Sequence, residues 1–168
     1  MKVYLLLAAI AMALTILLTP AVRWACLRFG IVPALRGRDL QKTPIPRLGG
    51  IAMTISLIVT MLVASRIPYM APLFTGTIPW AVMAGAGGMC ILGIIDDIIE
   101  LDWMAKLGGQ VLIAGGMAFG GVQLASFPIF GITLGSSRLS LFISVLFIVG
   151  IMNAVNFIDG LDGLASGM

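Results

Sequence analysis

Apolar residues fall in long blocks along this chain, separated by short polar segments. Crossing roughly 30 Å of hydrocarbon takes about 20 predominantly apolar residues. The first such block is 3–22, followed by 48–65, 80–95, 107–122 and 139–153. The pattern predicts an all-α, multi-pass transmembrane protein of about five spans, with 1–168 forming a single transmembrane domain. Several blocks are short or glycine-rich; the third holds Gly85, Gly87, Gly88 and Gly93. Small residues let helices approach closely in lipid, so these glycines predict packing contacts and no chemistry. Lys2 before an apolar run resembles the start of a signal peptide. However, Arg23 and Arg28 follow it, no small-residue cleavage site is evident and four more blocks come after. The first block is therefore read as a retained helix.

Composition agrees. Of 168 residues, 60% are apolar and 10% charged, and the mean hydropathy is +1.14. Soluble domains carry roughly 25% charged residues, so this chain has too little polar surface to face water all round. A net charge of +3 would suggest nucleic acid in a soluble protein; here the placement of the charges matters more than their sum, and no nucleic-acid partner is expected. There is no histidine, so a zinc site or a Ser-His or Cys-His pair is not expected within these residues. Cys26 and Cys90 belong to no metal-ligand spacing and read as small core residues.

The basic residues orient the chain. Arg23, Arg28, Arg36, Arg38, Lys42 and Arg47 lie between the first two blocks, against Arg66 alone between the second and third. By the positive-inside rule the N-terminus is outside, and 23–47, 96–106 and the stretch from 154 are cytoplasmic. The acids, which do not set topology, test this. Asp39, Asp96, Asp97, Glu100, Asp102, Asp159 and Asp162 all fall on the cytoplasmic side. That one-sidedness suggests a polar site on one face of the membrane. On the opposite side, 127–134 has the makings of a short hairpin at the surface.

Three cytoplasmic patches carry candidate chemistry. At Asp96-Asp97, two carboxylates end an apolar helix, followed by Glu100, Asp102 and Lys106. Neighbouring carboxylates repel and are costly to bury unpaired. A hard divalent cation with oxygen ligands would relieve both penalties, and a helix end stopped by interfacial charges is the plainer alternative. Glu100 and Asp102 read as solvated charges. In the second patch Asn153, Asn156, Asp159 and Asp162 recur every three residues. Each step of three drifts by about 60° on a helix, so successive members form a polar ridge where the fifth span meets the cytoplasm. Such groups are expensive there unless used. The glycines at 160 and 163 allow a bend or a close approach to phosphate. In the third patch, 38–50, ordinary positive-inside charge explains most cations; Arg47, beside a proline and the pair Gly49-Gly50, stands apart as a phosphate-binding candidate.

Pro-Arg-Leu-Gly-Gly at 46–50, Asp96-Asp97 with Lys-Leu-Gly-Gly-Gln at 106–110, and Asn-Ala-Val-Asn-Phe-Ile-Asp-Gly-Leu-Asp-Gly-Leu-Ala at 153–165 together resemble the polyprenyl-phosphate N-acetylhexosamine-1-phosphate transferases. The resemblance covers essentially the whole chain. It implies a bacterial plasma-membrane enzyme of cell-envelope glycan synthesis with a cytoplasmic active site. Such an enzyme moves a sugar 1-phosphate, GlcNAc-1-phosphate being favoured, from a UDP-N-acetylhexosamine to a polyprenyl phosphate, releases UMP, and needs Mg²⁺ or Mn²⁺. Homodimerisation is compatible with it. Carried over by position, Asp96 and Asp97 match an aspartate pair that handles the lipid phosphate, Asp97 also assisting the metal, and Lys106 matches a phosphate-contacting lysine. Asn156 matches a Mg²⁺ ligand, and Asp159 and Asp162 match acids of the nucleotide-sugar side, with Asn153 counted among the substrate-binding residues and Arg47 able to share the phosphate charge. Two departures stand out. Arg38-Asp39-Leu40-Gln41 has no histidine where the family often does. Family members are also longer, carrying a further metal-binding aspartate and a histidine loop. The chain is thus read as the N-terminal half of a ten- or eleven-helix enzyme, and these residues alone are expected to be inactive. The phospho-N-acetylmuramoyl-pentapeptide transferases are the nearest alternative; a cation-coupled transporter and a non-catalytic membrane scaffold are alternatives of other classes. A transporter would place its acids near the midplane.

In a Cys26→Ala/Cys90→Ala background of the full-length protein, Asp97→Cys and Asp159→Cys are expected to react with a membrane-impermeant maleimide from the same face. Labelling from opposite faces would rule out a shared site.

Overall fold

The computed structural model describes residues 2–28, 49–99, 101–124, 126–127, 132–133 and 137–159. Five helices follow in order: α1 (Lys2–Arg28), α2 (Gly49–Arg66), α3 (Ile78–Ile99), α4 (Trp103–Phe119) and α5 (Ser137–Asp159). A short 3-10 turn, Ala71–Phe74, links α2 to α3. Between α4 and α5, β1 (Ser126–Phe127) pairs antiparallel with β2 (Ile132–Thr133), the hairpin expected there. The helices α1, α2 and α3, and Arg138–Asn156 of α5, are long and apolar enough to cross a membrane. With 17 residues, about 25 Å, and with Lys106, Gln110 and several glycines among them, α4 is shorter and less apolar than these. It nevertheless runs between the same two ends as its neighbours, as the contacts below show, and the five-helix reading stands on that geometry.

The helices outrun the apolar blocks because a helical backbone satisfies its own hydrogen bonds whether its side chains face lipid or the interface. In α1 the helix continues through Pro20 to Arg28, whose guanidinium sits 5.0 Å from the Trp24 ring centroid. That aromatic–cation pair suits the membrane boundary. The end of α3 reaches Ile99, so Asp96 and Asp97 ride on its last turns. Helix α4 stops at Gly120 and Gly121; the latter has φ +100°, a backbone conformation that L side chains rarely adopt.

Each helix packs on its neighbours in sequence, and among the described residues no helices further apart in sequence touch. The result is a row of antiparallel helices. In α2 the buried positions recur every fourth residue, Ala52, Ser56, Thr60 and Ala64, a small-residue stripe that admits its neighbours closely. The Ser56 hydroxyl donates to the Ala52 carbonyl at 2.7 Å, so burial leaves it satisfied. Leu7 of α1, Ala64 of α2 and Met70 cluster at the end away from the acids. Large side chains such as Leu17, Leu112, Phe119 and Leu146 are exposed, as faces turned to lipid require. Cys26 is a buried free thiol and Cys90 a partly buried one.

Small residues set the stagger of α3 on α4. A Cβ on Gly85 would land on the Met117 side chain, and one on Gly88 would lie 3.4 Å from Cγ1 of Ile113. One on Gly109 would come within 2.7 Å of Cδ1 of Leu92, and one on Gly120 would strike Cβ of Ala81. These four contacts follow one antiparallel register from end to end. Gly87 and Gly93 face open space and take no part. At the far end the Thr77 hydroxyl donates to the Gly120 carbonyl at 2.8 Å. There too α5 fastens the segment after α4. The backbone N–H of Leu124 donates to Oγ of Ser144 at 2.8 Å, and the Ser140 hydroxyl donates to the Leu124 carbonyl at 2.6 Å.

Gly85→Leu is expected to overpack the α3–α4 seam and cost about 1–3 kcal/mol. Gly85→Leu/Met117→Ala, which exchanges large for small across the seam, should recover most of that loss. Melting temperatures of the purified protein in detergent check both.

Candidate active site

The register that seats Gly109 against Leu92 carries on past both residues and sets Asp96 against Lys106. Lys106 Nζ donates to Oδ2 of Asp96 at 2.7 Å, the side chains being 31% and 24% exposed. Burial to that degree removes part of the water that would screen the pair, while leaving it reachable by a ligand. Neighbouring Asp97 is also half-buried, and its side chain points about 100° further round the helix. Asp96 is thus the carboxylate committed to the lysine. Asp102, one residue before α4, is exposed, as a solvated charge would be.

One turn further along α4 from Lys106 lies Gln110, only 2% exposed. Residues four apart share a helix face, so Lys106 and Gln110 line up. Gln110 reaches α5: Nδ2 of Asn153 donates to its Oε1 at 2.7 Å and to the Val149 carbonyl at 2.8 Å. Three helices are thereby tied at one end, α3 to α4 by an ion pair and α4 to α5 by a pair of amides. Asn156 follows Asn153 on α5 and is exposed. Asp159 is the last residue of that helix, its side chain outside the described residues. Arg47, Asp162 and Glu100 lie outside the described residues as well.

The structure thus pairs Asp96 with Lys106 and, one turn along α4, Gln110 with Asn153, and leaves Asp97 and Asn156 at the same end of α3 and α5. Gln110 joins the candidate residues only in the structure. Its signal was present, since a glutamine inside an apolar block is costly unless paired, and it sits on the face of Lys106.

Among the described residues no three His, Cys, Asp or Glu side chains gather closely enough to hold a metal by themselves. Mg²⁺ does not demand such a cage. It usually keeps several waters and binds through one or two carboxylates together with substrate phosphates. A partly exposed aspartate near the end of α3 and an exposed asparagine near the end of α5 are residue types that suit that mode.

Residues 79–168 match the glycosyl transferase family 4. Over 163 residues the chain is 36% identical to the decaprenyl-phosphate N-acetylglucosaminephosphotransferase of Mycolicibacterium smegmatis, covering 94% of this chain and 40% of that protein. It is 31% identical over 163 residues to a probable undecaprenyl-phosphate N-acetylglucosaminyl 1-phosphate transferase of Bacillus subtilis, covering 95% and 43%. With a phospho-N-acetylmuramoyl-pentapeptide-transferase of Streptomyces avermitilis it shares 32% over 149 residues, covering 76% and 40%. The chain spans about 40% of the length of these curated relatives. No solved structure matches it.

Asp96→Asn and Lys106→Met are each expected to destabilise the helix end, with a coupling of about 1 kcal/mol in the double-mutant cycle for this partly exposed pair. Detergent melting curves of the four proteins measure it; additive effects would mean that the two side chains act independently.

Proposed function

Since the chain belongs to glycosyl transferase family 4, we propose that the protein transfers N-acetylglucosamine 1-phosphate from UDP-N-acetylglucosamine to a polyprenyl phosphate. The reaction would take place at the inner face of a bacterial plasma membrane, as an initiating step of a cell-envelope glycan. An oxygen of the lipid phosphate attacks the phosphorus that carries the sugar. A new P–O–P bond forms, the bond from that phosphorus to the bridging oxygen breaks, and UMP leaves with that oxygen. The observation that carries the proposal is the half-buried Asp96–Lys106 pair, one helical turn from an amide link to α5. It puts a cation, carboxylates and neutral polar groups at a membrane boundary, where a lipid phosphate and a soluble nucleotide can both arrive. The N-acetylglucosamine relative of Mycolicibacterium smegmatis is 36% identical to the chain, against 30–32% for the pentapeptide transferases. That difference favours the smaller donor.

In this scheme Lys106 offers charge-assisted hydrogen bonds to phosphate oxygens, and Asp96 holds it in place until they arrive. Asp97 and Asn156 would hold Mg²⁺, which when bound screens the pyrophosphate and eases the meeting of two anions. A phosphate monoester is largely ionised near neutral pH, so the carboxylates have more positioning than deprotonation to do. Asp159 and Asp162 are assigned to the nucleotide-sugar side on the resemblance of their motif, and Arg47 would share the phosphate charge with Lys106.

The full-length protein, given undecaprenyl phosphate, labelled UDP-N-acetylglucosamine and Mg²⁺, is expected to release UMP and to stop on addition of EDTA. Asp97→Asn should lower kcat by roughly a hundredfold. Ion flux without UMP release would replace the transferase with a transporter. Turnover confined to UDP-N-acetylmuramoyl-pentapeptide would move the protein to the other branch.

A further inference from the structure

The amide of Asn153 has two N–H groups, and the structure uses both within the protein. One goes to Oε1 of Gln110 at 2.7 Å and the other to the Val149 carbonyl at 2.8 Å. A backbone carbonyl only accepts, so it fixes which end of the Asn153 amide faces the helix; a flipped amide would set two oxygens against each other. Gln110 is 2% exposed, on the helix face of Lys106, and holds the other N–H from across the α4–α5 interface. What remains for a ligand is Oδ1 of Asn153, an acceptor to which no side chain among the described residues donates.

We infer that Gln110 is a positioning residue that locks the Asn153 amide, so that Oδ1 receives a hydroxyl or N–H of the nucleotide sugar and makes no contact with phosphate. The inference rests on the transferase reading and sharpens it. Phosphate oxygens at neutral pH need donors, and Asn153 has none to spare; the neighbouring donor is Lys106, at the wetter end of the same face. The two anions and the neutral part of the donor substrate are thereby sorted along one side of α4. Lys106 meets the phosphates, and the locked amide, one turn away, meets a sugar or nucleoside group.

The test is a double-mutant cycle on the full-length enzyme with Gln110→Met, Asn153→Ala and the pair, measuring KM for UDP-N-acetylglucosamine, KM for undecaprenyl phosphate and the Mg²⁺ requirement separately. Gln110→Met keeps length and removes the acceptor. Its KM for the nucleotide sugar is expected to rise about fivefold to tenfold, with the other two constants unchanged. Added to Asn153→Ala, it should cost nothing more, because its effect passes through that side chain. Gln110→Glu, which restores an acceptor at the same reach, should recover at least half of the loss and serves if Gln110→Met does not fold. An unchanged nucleotide-sugar KM in Gln110→Met, a full additional loss on the Asn153→Ala background, or a shift confined to Mg²⁺ or the lipid phosphate would each overturn the inference while leaving the transferase standing. Absence of UMP release from the wild-type enzyme would remove both.

Discussion

The stagger of α3 against α4 is the constraint from which the rest of the site follows. In lipid there is no hydrophobic drive between helices, since the tails are as apolar as leucine; close packing has to supply the association. Glycines and an alanine alternate with larger side chains along the seam, Ala81 with Gly120, Gly85 with Met117, Gly88 with Ile113 and Leu92 with Gly109. Small meets large at Gly85, Gly88 and Gly109, and alanine meets glycine at the far end, so a slip by one turn, about 5.4 Å, would set large side chains against one another. The same slip would part Asp96 from Lys106. Packing in the apolar interior therefore fixes an electrostatic contact at the boundary, and the residues that position the site are not the ones that do its chemistry.

Polarity along α4 is graded by depth. Charges sit where water still reaches, with Lys106 31% and Asp96 24% exposed, and a neutral amide takes the drier level, with Gln110 at 2% and its partner Asn153 exposed on α5. The order follows desolvation: an ion loses far more than an amide when water is withdrawn. An amide pair costs little once both partners are bonded, and it ties two helices with directional bonds that charges at that depth would supply only at a penalty.

Much of this was legible from residue order alone. Helix number, the packing role of Gly85 and Gly88, the hairpin after α4 and the gathering of Asp96, Lys106 and Asn153 at one end follow from block length, glycine content and the one-sided placement of acids. Partner choice was less legible. Asp96 and Asp97 are adjacent, and only the rotation of α3, set by which glycines face α4, decides which of them meets Lys106. Gly87 and Gly93 look no different in sequence from Gly85, yet they face open space. Gln110 escaped because its role depends on the register of α5, forty-three positions away, and no local pattern encodes that register.

The row of helices, each touching only the next, bears on how the protein is made. Every interhelical contact described here lies between consecutive segments, so each closes as soon as one more helix has entered the bilayer. Loop-closure entropy stays small at each step, and low contact order favours fast, sequential assembly. The three helices that carry the polar set can lock together in the order in which they emerge during synthesis, α3 to α4 first and α5 last. The amide link to Asn153 then forms as the final latch.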